Sequence, residues 1–159
     1  MKIIKPNRVT HTYVQTLVAP PAEVFPLLCP VREADWVPGW DPSLVLSASG
    51  VAEPDCVFIT SAEPIDAVWY ITQYEPEMGC LEMIKITPGV TACRLTIRLS
   101  PTTSGCTAAV TYTHTSLGPR GDEFITSFTK DYYRKFMQDW ESRIHYYLQH
   151  GTAAPADHA

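Results

Sequence analysis

A run of apolar residues spaced four apart near the C-terminus most constrains the fold of this chain. The run lies within residues 122–150 and consists of Phe124, Phe128, Tyr132, Phe136, Trp140, Ile144 and Leu148. Asp122 lies at its start, where an acid complements the helix dipole, and Gly151 follows its end, where glycine commonly terminates a helix. Because 3.6 residues make one turn, an i+4 repeat winds around a helix by about 40° per step. We therefore expect one long helix that packs against a curved surface, such as a twisted sheet.

Upstream of this helix, β-type segments alternate with turns that contain proline or glycine. Residues 8–18 are rich in β-branched side chains and predict a first strand. Apolar Leu95 and Ile97 alternate with polar neighbours, which is typical of an antiparallel sheet with one buried face. By the same reading, six further strands are predicted at 44–49, 56–62, 67–74, 80–87, 91–100 and 106–116.

Two short helical pieces are predicted between the first and second strands. Pro20 and Pro21 suit a helix start, so a short helix is expected over 21–28, followed by a broken turn over 32–36. The elements together predict an α+β domain, in which a seven-stranded curved antiparallel sheet wraps around the C-terminal helix. Residues 1–151 would form this single domain, and 152–159 a disordered tail. Since a curled sheet cannot pack flush along one helix, we expect an apolar cavity between them.

Composition excludes several classes of function. The chain has 159 residues, a formal net charge of −5 and no cluster of lysine or arginine, so no nucleic-acid partner is expected. No apolar run approaches the roughly 18 residues of a membrane span, and residues 1–6 lack the apolar stretch of a signal peptide. We therefore expect a cytoplasmic protein. The sequence contains neither a glycine-rich phosphate loop nor a nucleophile motif, and no cofactor is expected.

The five cysteines are widely spaced, and no two have CxxC spacing. The spacing therefore supports neither a zinc site nor a redox motif. We expect five free and mostly buried thiols, and no bound metal.

Histidine and tyrosine side chains on the first and last strands are candidate cavity groups. By alternation, His11 and Tyr13 share one face of the first strand, and Tyr112 and His114 share one face of the last. If both faces point inward, these groups could orient the polar end of an apolar ligand or act in acid–base catalysis. A shift of one residue would turn all four outward.

The segment around residues 32–41 combines two tryptophans with several acids. Trp36 and Trp40 could cover the cavity, with Asp35 or Glu33 turned inward as an acid of raised pKa. Alternatively, the tryptophans close the end of the barrel and the acids face solvent. No catalytic residue is assigned. The complete set of expected ligand contacts is His11, Tyr13, Asp35, Trp36, Trp40, Trp69, Leu95, Ile97, Tyr112, His114, Phe124, Phe128 and Tyr132.

The chain resembles the helix-grip superfamily over residues 8–150. The resemblance rests on APPAEVF at 19–25, the tryptophan-rich piece at 36–42, SGCT at 104–107 and the terminal helix. This superfamily includes START domains, polyketide cyclases, aromatase-cyclases and the birch-pollen allergen. Membership implies a cavity between sheet and helix that holds lipids, sterols, polyketides or other small apolar molecules, but it does not fix an activity.

Three functions are compatible with the sequence. We expect foremost a monomer or homodimer that binds or carries a small hydrophobic molecule. The second hypothesis is an enzyme of the polyketide cyclase/dehydratase type that uses cavity His, Tyr or Asp side chains as acid and base. The third is a protein-binding module. A cavity of several hundred Å³ with converging polar groups would favour ligand handling, whereas a filled interior with an exposed apolar patch would favour a protein partner.

Overall fold

The computed structural model describes residues 1–62 and 65–155, and its framework is one antiparallel sheet of seven strands. The order across the sheet is β1-β7-β6-β5-β4-β3-β2, so β1 joins the last strand and the rest form a meander. The strands are β1 (Arg8–Leu17), β2 (Leu44–Leu46), β3 (Val57–Thr60), β4 (Ala67–Glu75), β5 (Cys80–Thr87), β6 (Thr91–Thr102) and β7 (Gly105–Ser116). The predicted helix-grip architecture is confirmed, although β2 and β3 are shorter than expected.

Short helical pieces follow β1, as predicted. Helix α1 (Pro21–Val24) begins with proline at its first position and continues into a 3-10 turn, Phe25–Leu28. A second 3-10 turn spans Arg32–Asp35, and a third, Pro76–Met78, joins β4 to β5.

The C-terminal helical segment is interrupted, which corrects the expectation of one continuous helix. Helix α2 (Pro119–Ser127) ends before Phe128, whose backbone leaves the helical region, and α3 (Lys130–His150) begins afterwards. The Thr129 hydroxyl accepts a hydrogen bond from the Tyr132 amide at 3.1 Å and so caps α3. The C-terminal end agrees with the prediction, because Gly151 has a φ of 71°.

This break changes which helical residues face the sheet. After Phe128 the buried positions are Tyr133, Met137 and Ile144, whereas Tyr132 and Phe136 are exposed. The predicted i+4 stripe is therefore wrong for Tyr132 and Phe136, because the extra residue at the break rotates α3 relative to α2.

The core lies between the concave face of the sheet and α3. All five cysteines are buried and unpaired, as expected. None of the described helices is long and apolar enough to cross a membrane. Of the predicted tail, residues 156–159 lie outside the described residues; Ala154 is buried.

Candidate functional site

A cavity of about 340 Å³ lies among the sheet, α2, α3 and the segment that follows α1. Most of its wall is apolar or aromatic. Several of its wall residues are also partly or fully exposed, among them Tyr132 and Phe136 on α3 and Val37 and Trp40 opposite them. The opening to solvent therefore lies between α3 and the segment after the second 3-10 turn. The wall consists of Leu28, Pro30, Glu33, Val37, Trp40, Phe58, Trp69, Met83, Lys85, Leu95, Ile97, Tyr112, His114, Phe124, Phe128, Tyr132, Phe136, Asp139, Trp140 and Arg143.

One row of inward side chains crosses five neighbouring strands of the sheet. In register, the row runs through Phe58, Trp69, Lys85, Cys93 and His114. Directly opposed residues on adjacent antiparallel strands have Cβ atoms about 5 Å apart, so each member contacts the next. The row begins with stacked aromatic rings and ends in a lysine, a thiol and an imidazole.

Lys85 extends along this floor, and its Nζ lies 4.8 Å from the centre of the Trp69 ring. Burial lowers the pKa of Lys85, because an ammonium group loses hydration against an apolar wall. Within residues 1–62 and 65–155, Nζ has neither a hydrogen bond nor an ion pair within 4 Å.

His114 is buried and packs edge-on against Phe124 and Phe128, with ring centres 4.7 and 4.6 Å away. Burial lowers its pKa to about 4, so the imidazole is neutral at physiological pH. Its Nε2 lies 3.7 Å from Cys93 Sγ, and its Nδ1 has no partner among the described residues. Either tautomer therefore leaves Nδ1 as a buried donor or acceptor that is unused among the described residues.

Of the two acids considered on the second 3-10 turn, Glu33 reaches the cavity and Asp35 does not. Both lie on the second 3-10 turn, but Asp35 is exposed and forms an ion pair with Arg32 at 2.7 Å. Glu33 lines the cavity, and loss of hydration raises the pKa of its carboxyl to about 8. This carboxyl is therefore mostly protonated at neutral pH and can donate a hydrogen bond. The predicted ligand contact at Asp35 lies outside the cavity wall because adjacent turn residues point in different directions.

The two tryptophans of this segment have different roles. Trp40 lines the cavity, and its indole donates a hydrogen bond to the Pro30 carbonyl at 2.7 Å. Trp36 is fully buried behind the wall, where its indole donates to the Leu27 carbonyl and its ring packs 5.0 Å from Trp140. Trp36 thus supports Trp140 and does not itself line the cavity.

An ion pair on α3 completes the polar part of the wall. Arg143 Nε donates to Asp139 Oδ2 at 2.8 Å, one helical turn apart. Asp139 Oδ1 and Arg143 Nη1 are buried and have no partner in the described part of the chain.

His11 and Tyr13 share the inward face of β1, one of the two alternatives that the sequence left open, but α3 and the break before it cover them. His11 Nε2 lies 3.0 Å from the Phe128 carbonyl, which the interruption leaves without a helical partner. The Tyr13 hydroxyl donates to Glu141 at 3.1 Å. These two side chains therefore hold the helix against the sheet and lie outside the cavity wall.

The structure brings together nine of the expected ligand contacts. They are Trp40, Trp69, Leu95, Ile97, Tyr112, His114, Phe124, Phe128 and Tyr132. Sequence reasoning missed Lys85, Asp139 and Arg143. Lys85 could have been found, because it continues the inward alternation of Leu81 and Met83 along β5.

The wall suits an apolar body with polar substituents better than a metal ion. Among the described residues, no group of three His, Cys, Asp or Glu side chains is arranged to hold a metal. The polar groups are spread over the sheet, the 3-10 turn and α3. They can therefore contact different substituents of one ligand.

No family model and no curated protein matches the sequence. Solved structures match the fold. A truncated norcoclaurine synthase from Thalictrum flavum is 14% identical with a TM-score of 0.65, over 91% of this chain and 97% of that one. Ara h 8.0201 is 15% identical with a TM-score of 0.61, over 90% and 99%. DynU16, from the dynemicin biosynthetic locus, is 18% identical with a TM-score of 0.57, over 91% of this chain and 48% of that one. These similarities establish a shared helix-grip fold.

Proposed function

We propose that this helix-grip protein binds and carries a small hydrophobic molecule in the cavity between its sheet and its C-terminal helices. The observation that carries the proposal is the cavity of about 340 Å³, whose wall is mainly aromatic and aliphatic. Folding normally fills such space, since protein interiors are packed to the density of organic crystals. An open, apolar cavity with a few polar groups has the character of a ligand site.

The ligand we infer has an apolar body and at least two polar positions. Trp69, Leu95 and Ile97 would contact the body from the sheet. Protonated Glu33 would donate to a carbonyl or hydroxyl oxygen, and the Asp139–Arg143 pair would contact a second polar group. We place the protein in the cytoplasm, because five unpaired cysteines suit a reducing compartment.

The binding test uses an apolar fluorescent probe, a naphthalene sulfonate, with the folded protein. We expect saturable binding, altered tryptophan emission and a negative heat-capacity change from apolar burial. Leu95→Trp fills the cavity and should weaken binding about tenfold or more, a loss of about 1.4 kcal/mol. The matched control is Leu46→Phe on the exposed edge strand, which should bind as the original protein does. If the probe does not bind, or if Leu95→Trp binds it unchanged, the cavity is not the binding site.

A second candidate function is an enzyme of the polyketide cyclase/dehydratase type. Neutral His114, with its unpartnered Nδ1, supports this candidate together with the protonated Glu33 carboxyl on the same cavity wall. One group could accept a proton while the other donates one. In a cyclisation assay with a polyketide-like substrate, His114→Gln or Glu33→Gln would abolish turnover while retaining binding if the protein is an enzyme. For a carrier, both variants would alter affinity only, and the ligand would be recovered unchanged.

A further inference from the structure

Lys85 is the only one of the five lysines that lies in the cavity wall. The other four, Lys2, Lys5, Lys130 and Lys135, are exposed. Register with Trp69 and Cys93 fixes Lys85 on the concave face of the central strand β5. Its amine therefore projects into the space that a bound molecule would occupy.

Among the residues that the structure describes, the neighbours of Lys85 provide no counter-charge for an ammonium group. Cys93, directly opposite, remains a thiol because burial raises its pKa to about 12. His114, one strand further, is neutral, and protonated Glu33 carries no charge at neutral pH. Burial also raises the pKa of Tyr112, while Asp139 and Arg143 balance each other on α3. In the described part of the chain, the Trp69 ring favours the charged form of the amine, and Cys93 would do so only as a thiolate.

We propose that Lys85 binds apolar aldehydes and ketones covalently as an imine, which deepens the binding function proposed above and rests on it. The amine nitrogen attacks the carbonyl carbon, and a proton passes from nitrogen to oxygen to give a carbinolamine. The nitrogen lone pair then forms the C=N bond as the hydroxyl leaves with the second amine proton as water. One amine and one carbonyl compound thus give one imine and one water, with no oxidant or reductant.

Two properties of the site favour this reaction. Only the uncharged amine is nucleophilic, and burial increases its fraction by lowering the pKa of Lys85. The apolar wall also concentrates an aromatic or aliphatic carbonyl compound beside Nζ while reducing contact with bulk water, which would hydrolyse the imine. Lys130 is exposed and lies outside the cavity wall, so it serves as an internal reference.

The test is reductive capture with 2-naphthaldehyde. The protein is incubated with the aldehyde at neutral pH and treated with sodium borohydride, and the modified lysine is located by peptide mass spectrometry. We expect labelling at Lys85 to be about ten times faster than at Lys130 or more, because the cavity holds the aldehyde beside Nζ and burial increases the fraction of uncharged amine. Glycolaldehyde, which is small and polar, should lose most of this preference, because the apolar wall does not concentrate it beside Nζ. Lys85→Met should lose the fast labelling, and Lys130→Met should keep it.

The outcomes separate this inference from the binding function. If naphthalene sulfonate does not bind, the binding function fails and the inference falls with it. If the probe binds but Lys85 is labelled no faster than Lys130 in the original protein, the imine proposal alone is overturned, whatever the variants do. Tighter binding of 2-naphthoate than of 2-naphthaldehyde, with no capture at Lys85, would also overturn it and make Lys85 a counter-ion for anionic ligands.

Discussion

Replacing Glu33 with glutamine should change how the stability of this protein depends on pH. Burial raises the pKa of Glu33 from an ordinary 4.5 to about 8, so the folded state holds a proton that the unfolded state has released. Between these pH values the folded state binds more protons, and its free energy of unfolding must fall as pH rises. A pKa change of this size corresponds to at most about 5 kcal/mol. Glutamine keeps the shape and the donor capacity but does not titrate.

His114 acts in the opposite direction and shapes the expected curve. Burial lowers its pKa from 6.5 to about 4, so between these values the unfolded state binds more protons and stability rises with pH. The two contributions oppose each other from about pH 4.5 to 6.5. Above pH 6.5, of these two groups only Glu33 still changes the stability. Its titration should lower the free energy of unfolding by about 2 kcal/mol between pH 6.5 and 8. In Glu33→Gln, the opposing contribution is absent. The free energy of unfolding should therefore show the full rise of about 3 kcal/mol that His114 causes as the pH increases.

Urea denaturation followed by tryptophan fluorescence across pH 4–8.5 measures this effect. The informative quantity is the difference in unfolding free energy between the original protein and Glu33→Gln, because all other groups titrate in both. That difference should fall steadily from about pH 4.5 to 8. Asp35→Asn is the matched control on the same turn, and because its side chain is exposed it should keep the original slope. Parallel curves for the original protein and Glu33→Gln would refute the burial of the Glu33 carboxyl.

Three further predictions concern packing, capping and thiols. Trp140→Ala should lower the free energy of unfolding, measured in urea, by about 3 kcal/mol. This is at the low end for a large aromatic, because one side of the ring packs on Trp36 and another lines the cavity. A loss below about 1 kcal/mol would mean that the contact with Trp36 stabilises little. Thr129→Ala should lower the free energy of unfolding by about 1 kcal/mol, because it removes the cap of α3. Thr129→Ser should keep most of that stability, and equal losses for both variants would show that the hydroxyl does not cap the helix. Thiol titration of unfolded, unreduced protein should find five free cysteines, and a disulfide in fresh protein would contradict the buried, unpaired thiols.

The sheet was predictable from the sequence because its signals are local. Turn residues bound nearly every strand, and alternation along β6 identified the inward face correctly at Leu95 and Ile97. The helix break was harder to predict, since an i+4 apolar run continues through Phe128 without interruption. The one local signal is Thr129 followed by Asp131, a capping residue and an acid in the first turn of α3.

The polar part of the site depended on information that the sequence does not carry. Choosing between Glu33 and Asp35 requires the rotation of a single 3-10 turn, and Arg32 decides it by pairing with Asp35 at 2.7 Å. Alternation predicted that His11 and Tyr13 share a face, but their coverage by α3 depends on packing between elements more than 110 residues apart. Alternation fixes the direction in which a side chain points but not what lies in front of it.

The distribution of unsatisfied polar atoms argues that the cavity is more than a packing fault. In the part of the chain that the structure describes, four buried side-chain atoms lack partners, and three belong to cavity residues: His114, Asp139 and Arg143. Each such atom costs about 1–3 kcal/mol while it remains unpaired. A ligand that pairs with these atoms recovers that cost only in the folded state, so binding and stability are coupled. A ligand with matching polar groups should therefore raise Tm more than an apolar one of equal size.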